Sequence, residues 1–394
     1  MFRCLPSWLS TIKVIDPVDV KWTATSNLYV LSGSTGTITE FDATGKTIRS
    51  KTKIGANPSG MAIDPVGNVY VAVTGANQVW KFKPTADSFE PDTSFGDAGF
   101  IGSKDGSAGS DAGHFNAPFD VAMSVGGRTI TVSDSGNQRI ERFSLTGALA
   151  ASSSVIGGLQ GQLPAPRGLA LDGIGYFMFI VDSGNNRIVL ANDFFAPMGS
   201  SGTNGTDLGE FNGAFHLSAN NRALYVADTG NNRVQVFGPV ESREGHSPIP
   251  FSPRLALSGE LGLNHPQSVA AVDDLLEEKL YIADTGNNRV LLVKLPSDNP
   301  EAVWKAMNAR LKEGDVDGAV FYFSFTAKEK YQEAFLAMSK DELRSAAKDA
   351  VDIKPSTIEG DQAEYYFESI VDGQKITFPI EFDKEFRQWK ILEY

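Results

Sequence analysis

The sequence predicts an all-β propeller of six blades followed by a small α+β domain. Three observations carry that expectation. A turn of the form Asp-(Ser/Thr)-Gly-Asn-(Asn/Gln)-Arg occurs four times at near-constant spacing, each copy lies between short apolar runs that read as strands, and the composition changes after Pro296.

The four full copies align without a gap: ITVSDSGNQRIERF (130–143), FIVDSGNNRIVLA (179–191), YVADTGNNRVQVF (225–237) and YIADTGNNRVLLV (281–293). Their aspartates, at 134, 182, 228 and 284, stand 48, 46 and 56 residues apart, the length of one four-stranded blade. Two degenerate copies precede them, YVLSGSTGTITEF (29–41) and YVAVTGANQVWKF (70–82). Each copy opens with an apolar strand after a proline (Pro17, Pro58, Pro118, Pro166, Pro266), with Ala214 at that place in the fifth. The strand after the turn alternates apolar and polar residues, as a half-buried strand does. A three-strand sixth copy ending near Pro296 leaves room for the segment around Ile12 to supply the missing outer strand and close the ring.

The turn has a chemical reason. Gly136, Gly184, Gly230 and Gly286 are expected to take positive φ, tolerated also by the asparagine that follows. Asp134–Arg139, Asp182–Arg187, Asp228–Arg233 and Asp284–Arg289 are expected to pair across each hairpin, a carboxylate accepting a bidentate guanidinium. Because the pairs recur around the ring, they read as structural fasteners and not as a ligand site.

This pattern resembles the NHL repeat family, over residues 12–296, and the resemblance implies a six-bladed propeller domain spanning 1–296. Among relatives of this type the amidating lyases hold a catalytic zinc on channel histidines, two of them directly after the repeat proline. Here Val18, Ser59, Phe119, Arg167, Phe215 and Gln267 occupy that position, so the resemblance does not extend to that activity. The four histidines, His114, His216, His246 and His265, fall in four different contexts, and no metal site or cofactor is assigned.

The domain 297–394 begins with helical patterns. Asn299-Pro300 reads as a helix start with Val303, Met307 and Leu311 on one face, a second region runs over 316–338 with a break near Ser324, and Ser339 with Glu342 forms a capping box. Four strands are expected at 351–358, 362–371, 374–382 and 388–394, with Asp372-Gly373 as a hairpin. The order of elements resembles nuclear-transport-factor-like or cystatin-like domains. No histidine is present in it and no acid–base pair can be named.

Binding in a propeller is expected where loops entering the innermost strands converge. The polar residues next to the repeat prolines are Asp19, Asp120, Arg167, His216 and Gln267, and they form the candidate binding ring. Asp97, Asp105 and Asp111 in the Gly/Ser-rich loop 95–115 match no calcium-loop spacing and read as turn chemistry. The net charge of −13 repels a phosphate backbone and argues against nucleic acid. No stretch is long and apolar enough for a membrane helix, and the single cysteine, Cys4, excludes an internal disulfide.

These features favour a non-enzymatic binding or scaffold protein presenting a rigid propeller to a protein or glycan. The alternative is a metal-dependent lyase or hydrolase with its site in the channel. Analogy with bacterial envelope and secreted proteins places it in the periplasm or outside the cell; the start as written reads as lacking a signal peptide, which leaves the cytoplasm as the other compartment.

Overall fold

The computed structural model describes residues 7–153, 163–172, 177–220, 223–238, 253–272 and 278–295. In the C-terminal part it describes 303–304, 307–308, 311–312, 316, 325–339, 341–342, 353–359, 362–371, 374–385 and 388–393. The chain divides into two compact units, Ser7–Lys294 and Leu295–Tyr394 with Met1–Pro6.

The first unit is a β-propeller built from six antiparallel sheets among its described residues. The inner strands are Pro17–Trp22, Pro58–Ile63, Pro118–Met123, Pro166–Leu171, Leu217–Ala219 and Pro266–Val272. From each, the chain steps outward by hairpins, and in the last four sheets the second strand ends on the motif aspartate, as in Leu224–Asp228, all of it buried. The sixth sheet takes its outer strand from the start of the chain: Ser7–Lys13 pairs antiparallel with Arg289–Lys294, Lys13 opposite Arg289 and Thr11 opposite Leu291. The second sheet carries an additional short strand, Phe89–Pro91.

Apolar side chains fill the spaces between neighbouring sheets. Val18, Leu31 and Ile38 of the first sheet pack with Met61, Val71 and Val73 of the second, and Val20, Val30 and Phe41 meet Ala270, Ala283 and Val290 of the sixth. Each sheet is therefore buried on both faces, which is why its second strand reads as a continuous apolar run and not as an alternation.

The motif turn is a single turn of 3-10 helix, and its geometry corrects the glycine expectation. Positive φ falls on the residue two after the glycine, at Gln138 (56°), Asn186 (51°), Asn232 (52°) and Asn288 (51°), and not on the glycines. The glycines are needed for close approach instead. A Cβ on Gly230 would stand 2.5 Å from the Asn212 carbonyl oxygen, and one on Gly286 2.7 Å from that of Asn264.

The second unit contains α1, Phe325–Leu336, and a four-stranded antiparallel sheet of Lys354–Glu359, Gln362–Val371, Gln374–Glu385 and Gln388–Glu393 in that order. Trp304, Met307 and Leu311 pack with Tyr331 and Phe335 against Tyr365, Ile380 and Phe382. The capping box forms: Ser339 donates its N–H and its hydroxyl to Glu342 Oε2, both at 2.7 Å. Val371 pairs with Gln374, while the Asp372-Gly373 turn expected between them lies outside the described residues. The third strand runs three residues beyond its expected end. Among the described residues no helix is long and apolar enough to cross a membrane.

Candidate channel site

The motif residues set the position of everything in the channel. Asp134 Oδ2 accepts from Arg139 Nε at 2.8 Å and from Asn137 Nδ2 at 2.7 Å, while Oδ1 accepts the Asn116 N–H at 2.8 Å. Asp228 and Asp284 repeat this with Arg233 (2.7 Å) and Arg289 (2.5 Å); Asp182 Oδ2 accepts from Arg187 (2.8 Å), but its Oδ1 has no partner, since Pro164 stands where the other copies have an asparagine N–H. The pairing corrects the bidentate expectation: each guanidinium gives the aspartate only Nε. In three copies the other nitrogens hold carbonyls of the loop that enters the inner strand, as Arg233 holds Thr206, Asp207 and Glu210 at 2.6–2.8 Å. For Arg187 the corresponding loop lies outside the described residues.

Two further motif positions act between sheets. The hydroxyls of Thr229 and Thr285 donate to the carbonyls of Pro266 and Pro17 on the next sheet, at 2.7 and 2.6 Å, and Ser135 does the same to Pro166. The side-chain carbonyls of Asn186, Asn232 and Asn288 accept the N–H groups of Gly213, His265 and Asp16, again one sheet on, at 2.7–2.9 Å. The motif thus ties its own loop and clamps the start of the neighbouring inner strand. Reading each copy in isolation shows the first role and misses the second.

That clamp brings one residue per inner strand to the same level: Asp19, Gly60, Asp120, Gly168, His216 and Ser268. Asp19, Asp120 and His216 are fully buried, and one ligand-capable atom from each lies within 4.8 Å of the others. The small residues alternate with the large ones, and a Cβ on Gly168 would stand 2.6 Å from His216 Cα.

Asp19 is well satisfied. It accepts from the N–H of Val20 (2.8 Å) and of Met61 (2.8 Å), from Ser268 Oγ (2.6 Å) and from Lys21 Nζ (3.0 Å). Asp120 accepts one backbone N–H per oxygen, from Val121 at 2.8 Å and Leu169 at 2.9 Å. His216 Nδ1 lies 3.1 Å from the Gln267 carbonyl oxygen, and its Nε2, 3.8 Å from Asp120 Oδ1, has no hydrogen-bond partner. Burial raises the Asp120 pKa, Lys21 and His216 pull it down, and Asp19 adds to the rise. For Lys21 burial opposes the ammonium, but Asp19 and Asp120 outweigh it and hold the pKa above its usual value.

On the proline side of this layer, Arg167 lies over the rings of Phe215 and Phe119, with its guanidinium carbon 4.1 and 5.3 Å from their centroids, and Phe119 in turn lies 5.1 Å from the His216 ring. On the other side a cavity of about 730 Å³ opens, lined by the far ends of the inner strands, among them Lys21, Trp22, Met123, Leu171 and Ala219. The candidate ring is thus split. Asp19, Asp120 and His216 are buried and brought together, Arg167 stacks one layer toward the prolines, and Gln267 contributes its main-chain carbonyl to His216. Lys21 is the residue the sequence reading missed; its signal is the Asp19-x-Lys21 spacing, which puts both side chains on one face of a strand.

Of the other residues considered for metals, Asp97 pairs with Lys104 at 2.7 Å, and Asp105 accepts from Ser103 and Ser107 in its own turn. His114 and His265 are exposed, and His246 lies outside the described residues.

No protein-family model matches the chain. Among solved structures it is similar to hydrazine synthase of Kuenenia stuttgartiensis, with a TM-score of 0.50 at 13% identity, covering 72% of this chain and 97% of that one. It is also similar to virginiamycin B lyase from Staphylococcus aureus (TM-score 0.47, 10% identity, 73% and 98% covered) and to a streptogramin B lyase (0.46, 12%, 73% and 96%). At these identities the likeness concerns the fold alone.

Proposed function

We propose that the protein is a non-enzymatic binding protein whose propeller takes an oligosaccharide segment at the channel cavity. The observation that carries this reading is the cavity itself: about 730 Å³, in the range of ligand pockets, reached by all six inner strands and backed by the buried layer beneath it. Trp22 is among its lining residues, stacked on Tyr281 with centroids 5.2 Å apart, and so are Thr23, Thr25, Ser124 and Ser218. An aromatic plane beside hydroxyl donors and acceptors suits a sugar. On this reading the sheets are NHL repeats in a six-bladed ring, the second unit is a nuclear-transport-factor-like domain offering a separate protein-docking surface, and the protein works in the periplasm or outside the cell.

Calorimetric titration of the full chain with a panel of oligosaccharides tests the proposal. Saturable binding that weakens at least tenfold in Trp22→Ala is expected. A panel without binding, or binding indifferent to Trp22, overturns it.

A second reading, a metal-dependent lyase or hydrolase, is favoured by Asp19, Asp120 and His216 meeting at the base of the cavity. Mass spectrometry of the recovered oligosaccharide separates the two, since an enzyme returns it cleaved.

A further inference from the structure

We infer that Asp19, Asp120 and His216 form a site for one divalent first-row cation, zinc or manganese, where alternate inner strands converge. The inference does not rest on the oligosaccharide reading.

Four observations support it. First, the three donors come from the first, third and fifth sheets, while the intervening sheets supply Gly60, Gly168 and Ser268 at the same level, so the large side chains can meet. Second, His216 Nε2 is fully buried without a hydrogen-bond partner, a costly state for an imidazole nitrogen unless it donates its lone pair. Third, the hydrogen bond from Nδ1 to the Gln267 carbonyl requires a proton on Nδ1, so in the neutral ring the lone pair stands on Nε2. A metal-bound histidine is commonly oriented by this kind of bond. Fourth, each Asp120 oxygen accepts only one backbone N–H, so both keep lone-pair capacity.

The separation of His216 and Asp120 is compatible with a shared ion and lies within ion-pairing range as well. His216 Nε2 and Asp120 Oδ1 are 3.8 Å apart, too far for a hydrogen bond. Two donors held about 2.1 Å from a common ion stand roughly 3 to 4 Å apart. Two carboxylates and one imidazole also match a dipositive charge and the mixed O/N preference of first-row ions. Lys21, bonded to Asp19 at 3.0 Å, orients that carboxylate and leaves the occupied site with one net positive charge.

The test uses the full-length chain, stripped with chelator and then dialysed against Zn²⁺, Mn²⁺ or Ca²⁺. About one equivalent of zinc or manganese is expected to remain, with a raised melting temperature. Asp120→Asn and His216→Gln should lower the affinity at least tenfold and abolish the thermal shift. Should either variant fail to fold, Co²⁺ substitution of the wild-type chain gives an independent readout, with ligand-field absorption expected at one equivalent. Calcium uptake alone, absence of stoichiometric metal, or a His216 nitrogen NMR signature with both ring nitrogens protonated in metal-treated protein would each overturn the inference.

Discussion

Arg167 lies over Phe215 at 4.1 Å and over Phe119 at 5.3 Å, so on the proline side of the buried layer a cation rests on two aromatic rings. Replacing Arg167 with alanine should cost about 1 kcal/mol, the scale of a partly desolvated cation–π contact. Arg167→Lys should recover only part of that loss, because an ammonium lacks the planar stacking surface. Denaturant unfolding of the two variants measures both values. Equal stability of all three proteins would contradict a stabilising cation–π contact.

Glu141 gives a pH dependence. Its side chain is fully buried; burial pushes its carboxyl up to about 7, opposed by Arg139, 3.3 Å away, and by the Gly113 N–H and Ser152, with Asp134 adding to the rise. The folded chain therefore holds a proton that the unfolded chain, with a pKa near 4.5, releases, and stability falls as pH rises from about 4.5 through 7. The fifth sheet has Gln235 at the equivalent place, donating to Asp228 Oδ2 and to the Glu210 carbonyl. Glu141→Gln should raise stability by about 2 kcal/mol at pH 8 and leave it nearly unchanged at pH 4, as read by melting curves at the two pH values.

The close approach at the motif glycines is tested by a single methyl. Gly230→Ala puts a carbon 2.5 Å from the Asn212 carbonyl oxygen and should destabilise by about 2 kcal/mol, since backbone on both sides must shift. Gly199→Ala, where an added methyl meets nothing within 4 Å, is the control and should lie within about 0.5 kcal/mol of wild type. Chemical denaturation compares them.

Deleting Ser7–Lys13 removes the outer strand of the sixth sheet and exposes the hydrogen-bonding edge of Arg289–Lys294. Hydrogen exchange at residues 290–293 should accelerate more than tenfold, and the truncated chain should self-associate through that edge. Size-exclusion chromatography beside exchange mass spectrometry checks both effects.

Much of the propeller was legible because its determinants are local. The Asp–Arg spacing, the prolines and the apolar runs each report on a few consecutive residues, and the sheets start where the prolines stand. What escaped was relational. That Thr229 donates to Pro266, or that Asn232 accepts from His265, depends on the arrangement of neighbouring sheets, which no single copy encodes. Likewise Asp19, Asp120 and His216 are separated by about a hundred residues each, and their meeting follows only from the alternation of small and large side chains around the ring. The glycines misled for a different reason: the residue best known for positive φ was retained here for its missing Cβ.

The pairing of Ser7–Lys13 with Arg289–Lys294 also imposes an order on biosynthesis. Ser7–Lys13 is made before its partner Arg289–Lys294, so the sixth sheet assembles only once both have been translated. Until then a nascent chain carries an unfinished ring with two open edges, and contacts of such high sequence separation form slowly. Aggregation through those edges is therefore expected to compete with folding until the sixth sheet closes.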